Sequence, residues 1–257
     1  MSQKQQYTPL KGPIRSVEAP LAPSDIRLLC GHGVAALTHT ASAIAIAILG
    51  TAFTPNIVYR DSLNDNRLFT LDTRWLLFAF SMLAAIEHTF YAFTPTAYIG
   101  DVRIGAKYPT PMLMRWLEYA ISVPCMHVCI AVLCGIDDII VLYAIATTTM
   151  LCMSIGYWVE KEPNEWIYQG IAWATFLNVW VIIVVAYSNQ AKLAPDFVHA
   201  LMVDIFLLEF AFGLVPILTK NNPFNREWAY LTLSFVAKQG LLWQVYGGLQ
   251  RSAPPGS

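Results

Sequence analysis

The stretch LTLSFVAKQGLLWQVYGG, residues 231–248, is apolar and long enough for a bilayer, yet it carries Lys238 near its middle. An ammonium group at that depth costs about 2.5–3.5 kcal/mol on insertion scales, and residues of this kind face a bundle interior with a partner. The segment is therefore predicted as a membrane helix turned toward other helices. Lys238 calls for a counter-charge and a purpose.

The rest of the chain supplies a bundle around it. Hydrophobic residues make up 56% of the 257, charged ones 13%, and the mean hydropathy is +0.48, with the apolar residues gathered in blocks. That pattern marks an integral membrane protein in a lipid bilayer. Runs of about 20 largely apolar residues fall at 28–50, 74–95, 111–133, 138–159, 166–187, 196–218 and 228–249, which predicts an all-α, seven-transmembrane-helix bundle as one domain over 28–249. Residues 1–27 read as a polar tail and 250–257 as a flexible end. No short apolar segment with a small-residue cleavage site precedes the first run, so that run is expected to be its own targeting signal.

A net charge of −1 leaves no basic patch for nucleic acid. The five cysteines have neither CxxC spacing nor ligands beside them, so they read as packing residues, with no metal site expected. With the N-terminus in the cytoplasm, ten Lys and Arg fall on inner segments, five on outer ones, and Lys238 within the membrane. The positive-inside rule then favours N-in and C-out. In the first outer loop, NIVYR and RLFTL flank the turn-rich DSLNDN, the pattern of a small extracellular β-hairpin.

Ser234 and Lys238, spaced i, i+4, share a helix face. In the third run, Glu118 is the natural counter-charge on the face that also holds Arg115 and Ser122. Counting residues from the inner ends puts the two groups within about 4–5 Å in depth. Burial disfavours a charged amine, and a neutral amine is a nucleophile toward an aldehyde; the protonated imine so formed again needs a carboxylate. This fits a covalently bound retinal. A structural Lys–Glu ion pair in a channel or transporter fits the spacing as well.

The segments RWLEY with the AIS that follows, LSFVAKQGLLWQV, ALTHTASA, SMLAAIEHTFYA and SIGYWVEKEPNEW resemble the corresponding parts of heliorhodopsins, retinal-binding proteins of inverted topology. The likeness extends over all seven runs and agrees with the N-in orientation. It implies all-trans retinal on Lys238 as a Schiff base, Glu118 as counterion, Ser234 as a hydrogen-bond partner of the imine, and His39 and His88 in an inner polar cluster that handles protons. Glu160 matches the family's fourth-helix glutamate near the cytoplasmic surface, where a surface anchor is the other reading.

Three departures stand out. Ser42 occupies a position where the family commonly has glutamine, and Pro124 interrupts the third helix. Extra acids, Glu87, Asp204 and Glu209, lie in apolar runs and suggest proton traffic. Asp204 and Glu209 are about 140° apart on a helical wheel, so they face different surroundings; Glu209 is the candidate proton donor or gate, and Asp204 could line an outer exit. Met126, Trp180 and Phe206 are expected to wall the chromophore. The resemblance points to a light sensor, not an enzyme, that forms a homodimer and acts on a signalling partner. A light-driven proton conductor and a non-photoactive receptor or scaffold are the alternatives.

Overall fold

The computed structural model describes residues 20–50, 56–61, 66–104, 109–162, 166–190 and 196–252. Most of the amino-terminal tail, the end of the carboxy-terminal tail and the tip of the first loop lie outside the described residues. The elements are α1 (Pro23–Leu49), β1 (Asn56–Asp61), β2 (Asn66–Asp72), α2 (Thr73–Phe93), α3 (Pro95–Ile104), α4 (Pro109–Leu133), α5 (Ile139–Lys161), α6 (Trp166–Gln190), α7 (Asp196–Leu218) and α8 (Pro223–Ser252).

Local chemistry sets the ends. The Asp72 side chain accepts from the Arg74 N–H at 2.9 Å, and Asp138 accepts from Ile140 and Val141 at 2.8 and 3.2 Å, each satisfying donors that a first turn leaves free. Proline opens α1, α3, α4 and α8, where its missing N–H costs nothing. Helix α4 stops at Gly135, whose φ of 85° closes the turn while Ile136 N–H returns to Ala131 and Gly135 N–H to Val132, both at 3.0 Å. Pro124 stays inside α4. Strands β1 and β2 pair antiparallel, with Ile57 opposite Leu71 and a register shift between Val58 and Arg60.

Six helices, α1, α2, α4, α5, α6 and α7, are long and apolar enough to cross a membrane. Helix α8 covers the expected run 228–249 but begins five residues earlier, and Lys238, Gln239 and Gln244 make that run less apolar than the other six. The short α3 was not foreseen: its sequence, PTAYIGDVRI, has no apolar block long enough to signal it. Neighbour packing runs α1 on α2, α2 on α4, α4 on α5, α5 on α6 and α7 on α8, with α8 returning to α1. Between α6 and α7 the contact is made by rings, Phe176 on Phe206 at 5.7 Å and Trp173 on Phe210 at 5.0 Å between centroids. Large apolar residues such as Leu37, Tyr143, Val181 and Leu207 face outward, as lipid contact requires.

Candidate functional site

Helices α4 and α8 bring Glu118 and Lys238 together. Lys238 Nζ donates to both carboxylate oxygens of Glu118 at 2.7 Å, with the two side chains 2% and 5% exposed, so the pair is sealed from bulk water. The ammonium also lies 5.1 Å from the Tyr119 ring centroid. The hydroxyls of Ser234 and Ser122, one turn from Lys238 and from Glu118, are buried, and that of Ser122 has no hydrogen-bond partner among the described residues.

Lys238 and Ser234 line a narrow cavity of about 100 Å³ that is partly open to the outside. Its walls are mostly apolar, with Trp116, Tyr119, Met126, Trp173, Phe176 and Phe212 among them. Two glycines allow the rings in: a Cβ on Gly156 would overlap the Trp116 ring, and one on Gly213 would lie 2.8 Å from Trp173. Met126 is thus placed on the cavity wall. Trp180 and Phe206 are not among the lining residues. Phe176 stacks on Phe206 and stands in front of it, while Trp180 turns its indole N–H to Glu209.

Toward the amino-terminal end of α4 lies a buried charge cluster. Arg115 donates to both oxygens of Glu160 at 2.7 and 2.8 Å and to Glu227 at 2.7 Å; Trp116 N–H adds a bond to Glu160 at 2.8 Å, and Arg226 approaches Glu160 at 3.2 Å. Glu160 is buried at the centre of this cluster, which corrects the surface-anchor reading: the guanidinium of Arg115 compensates its desolvation.

On the α1–α2 side, His39, His88 and Glu87 are buried. His39 Nδ1 meets Gln239 Nε2 at 2.8 Å, and the oxygen of Gln239 accepts from Ser42 at 2.8 Å and Trp243 at 3.2 Å. Gln239 thus bridges Ser42 and His39. His88 Nδ1 lies 3.0 Å from Nδ1 of His32, whose Nε2 lies 2.8 Å from the Tyr98 hydroxyl. Glu87 Oε2 has no partner among the described residues.

Toward the other end of α4, Glu209 lines the cavity and accepts from Trp180 Nε1 and bonds His127 Nε2, both at 2.9 Å, while His127 Nδ1 meets Thr149 at 2.8 Å. Asp204 is exposed and accepts from Gln244 at 2.7 Å. Asp204 and Glu209 do face different surroundings, and of the two only Glu209 belongs to the cavity.

Sequence reading overlooked His32, Tyr98, Glu227 and His127. His32 stands seven residues, two turns, before His39 on α1, a signal that was available. Nothing in the sequence singled out Tyr98 or Glu227 for this cluster.

Comparison with known proteins agrees with the architecture. Among solved structures, Exiguobacterium sibiricum rhodopsin matches with a TM-score of 0.72 at 12% identity, covering 91% of this chain and 100% of that one. The cyanorhodopsin N2098R of the cyanobacterium Calothrix sp. NIES-2098 matches at 0.64 and 15%, covering 89% and 96%. The light-driven proton pump CsR of Coccomyxa subellipsoidea matches at 0.62 and 17%, covering 88% and 97%. At such identities the likeness speaks for the fold alone. No curated protein matches the chain. A profile of the heliorhodopsin family, however, matches residues 28–249, a span that contains every helix of the cavity together with Lys238 and Glu118. This multi-pass membrane protein belongs to the heliorhodopsin family.

Proposed function

We propose that the chain is a light sensor that holds all-trans retinal covalently on Lys238, with α8 as a seventh crossing and the N-terminus in the cytoplasm. The observation that carries the reading is the buried amine of Lys238 at the wall of an aromatic cavity, already paired with a carboxylate. The residues fit the group: an amine able to form an imine, apolar walls for a polyene, and two buried hydroxyls one helical turn from the Lys238–Glu118 pair. When bound, retinal supplies the visible absorption and the light-driven change of shape.

The chain's own residues do the rest. Glu118 neutralises the charge on Nζ and favours its protonated form. Ser234 and Ser122 are hydroxyls able to accept a hydrogen bond from Nζ when it moves off Glu118. Trp116, Trp173 and Phe176 exclude water along the slot. The His88, His39 and Glu87 group offers nearby sites for the Nζ proton. A slow return of that proton would prolong a changed shape that a signalling partner reads. The exposed apolar flanks suit pairing into a homodimer.

Expression with all-trans retinal should give a visible pigment sensitive to hydroxylamine, and Lys238→Ala should give none. A pigment in the alanine variant would overturn the assignment.

One observation favours a second reading, light-driven proton transport. Glu209, bonded to His127, stands on the cavity wall at the end of α4 away from Arg115, and the histidine group lies outside that wall on the α1–α2 side, so titratable groups flank Lys238 on two sides. Voltage-clamped cells separate the readings: a photocurrent that depends on Glu209 supports transport, and none at any holding potential with a normal photocycle leaves the sensor.

A further inference from the structure

We propose that His88, His32, Tyr98 and Glu227 form a relay that carries one proton from the neighbourhood of Lys238 to the carboxylate of Glu227. This rests on the reading of Lys238 as the retinal lysine, and it follows from counting donors. Glu227 Oε2 accepts from Arg115 Nη1 at 2.7 Å and from the Tyr98 hydroxyl at 2.9 Å, so it is a carboxylate held by a guanidinium. Tyr98 spends its single proton on Glu227. Its oxygen must therefore accept from His32 Nε2, 2.8 Å away, which puts the proton of neutral His32 on Nε2. His32 Nδ1 is then a lone pair and accepts from His88 Nδ1 at 3.0 Å. The polarity of the whole chain is fixed from the carboxylate backwards, and it leaves a lone pair on His88 Nε2, which is buried and has no partner among the described residues.

His39 is set the opposite way. The Trp243 indole only donates, so it fixes the oxygen of Gln239, and the amide nitrogen of Gln239 then donates to His39 Nδ1. The proton of neutral His39 sits on Nε2, also buried and unpartnered among the described residues. The rings of His39 and His88 are 5.7 Å apart, but only His88 presents an open acceptor.

A proton arriving at His88 Nε2 forms a new N–H bond there. His88 Nδ1–H then passes to His32 Nδ1, His32 Nε2–H to the Tyr98 oxygen, and the Tyr98 proton to Glu227 Oε2. No other atom changes hands: both imidazoles and the phenol end neutral, and the carboxylate becomes a carboxylic acid. The hydrogen bonds of the chain now point the other way. A second proton finds no lone pair on His88 Nε2, so the relay holds one proton until it runs back.

Two measurements test this. In the protein without retinal, ¹⁵N-histidine NMR should show opposite tautomers for the pair, proton on Nδ1 for His88 and on Nε2 for His32, with resonances assigned through His32→Gln; the same tautomer on both rings overturns the proposal. In the pigment, time-resolved infrared spectra should show a carboxylic C=O band rising as Nζ loses its proton. That band should shift in Glu227→Asp and vanish in both Tyr98→Phe and His32→Gln, with loss of the Nζ proton slowed roughly 10²-fold or more. A band that survives in either relay variant, or ignores Glu227→Asp, overturns the relay and leaves the retinal reading standing. If the wild-type chain forms no pigment, the retinal reading fails and the relay with it.

Discussion

At the Arg115 end of the cavity two guanidinium groups meet two carboxylates with no formal charge left over, and the Glu160 and Glu227 carboxylates both receive bonds from Arg115. At the His127 end a single carboxylate, Glu209, receives two ring N–H groups on one oxygen and has none on the other among the described residues. Rings border both ends: Trp116, Tyr119 and Tyr230 pack together near the first, and at the second His127 and Trp180 meet edge to face with 5.7 Å between centroids. Buried charges in a closed cluster hold one another in place, because removing any one strands its partner. A lone acid has no such lock. The first end is thus held by its own paired charges, and the second by two ring N–H groups on one oxygen.

The largest effect that would break this contrast is at Arg115. Arg115→Ala leaves Glu160 and Glu227 facing each other's charge without their shared donor, at a cost of about 3–5 kcal/mol. Thermal unfolding in detergent should show it as the least stable of the variants described here; a stability equal to wild type would mean the cluster is not a lock. Next is Glu118, which stands between the two ends. Glu118→Gln in the pigment removes the charge that faces Nζ, so the visible band should move, read in the absorption spectrum. An unmoved band would move the counterion role to Glu87. Gly156→Ala tests the ring that borders the charged end. The added methyl must displace Trp116 from Glu160, at about 1–3 kcal/mol for overpacking, with a shifted absorption band. The smallest effects compare Glu209 and Asp204 of α7. Glu209→Gln keeps an acceptor for His127 and Trp180 and should cost about 1 kcal/mol or less, while Asp204→Asn, on an exposed face, should be indistinguishable from wild type in melting and in pigment colour. Equal effects in the two would erase the distinction between cavity and surface.

Much of the helical framework was legible because a span must be apolar along its whole length, and composition alone marks such blocks. The approach of Glu118 to Lys238 was legible too, since depth on two helices follows from counting residues at a known rise. What stayed hidden depends on how helices turn about their own axes. His32 meets His88 only because α1 and α2 present those faces to each other, and Trp180 looks toward Glu209 and not into the cavity because of the rotation of α6. For Glu160, matched to a family glutamate near the cytoplasmic surface, a surface anchor was one of two readings; its burial depends on the arginines of α4 and α8. The start of α8 was misjudged for a related reason. Its first turn is charged, and those charges are satisfied inside the protein instead of in water.

Pro124 sits on α4 between Glu118 and His127. It has no N–H to offer the carbonyl of Ala120, so the ladder that stiffens a helix lacks a rung there, and its ring crowds the preceding turn. Mechanically, α4 is two short rods with a joint and not a single beam. A push delivered beside Lys238 bends the rod at that joint before it reaches the far end, so each half of the cavity can be deformed with little torque on the other.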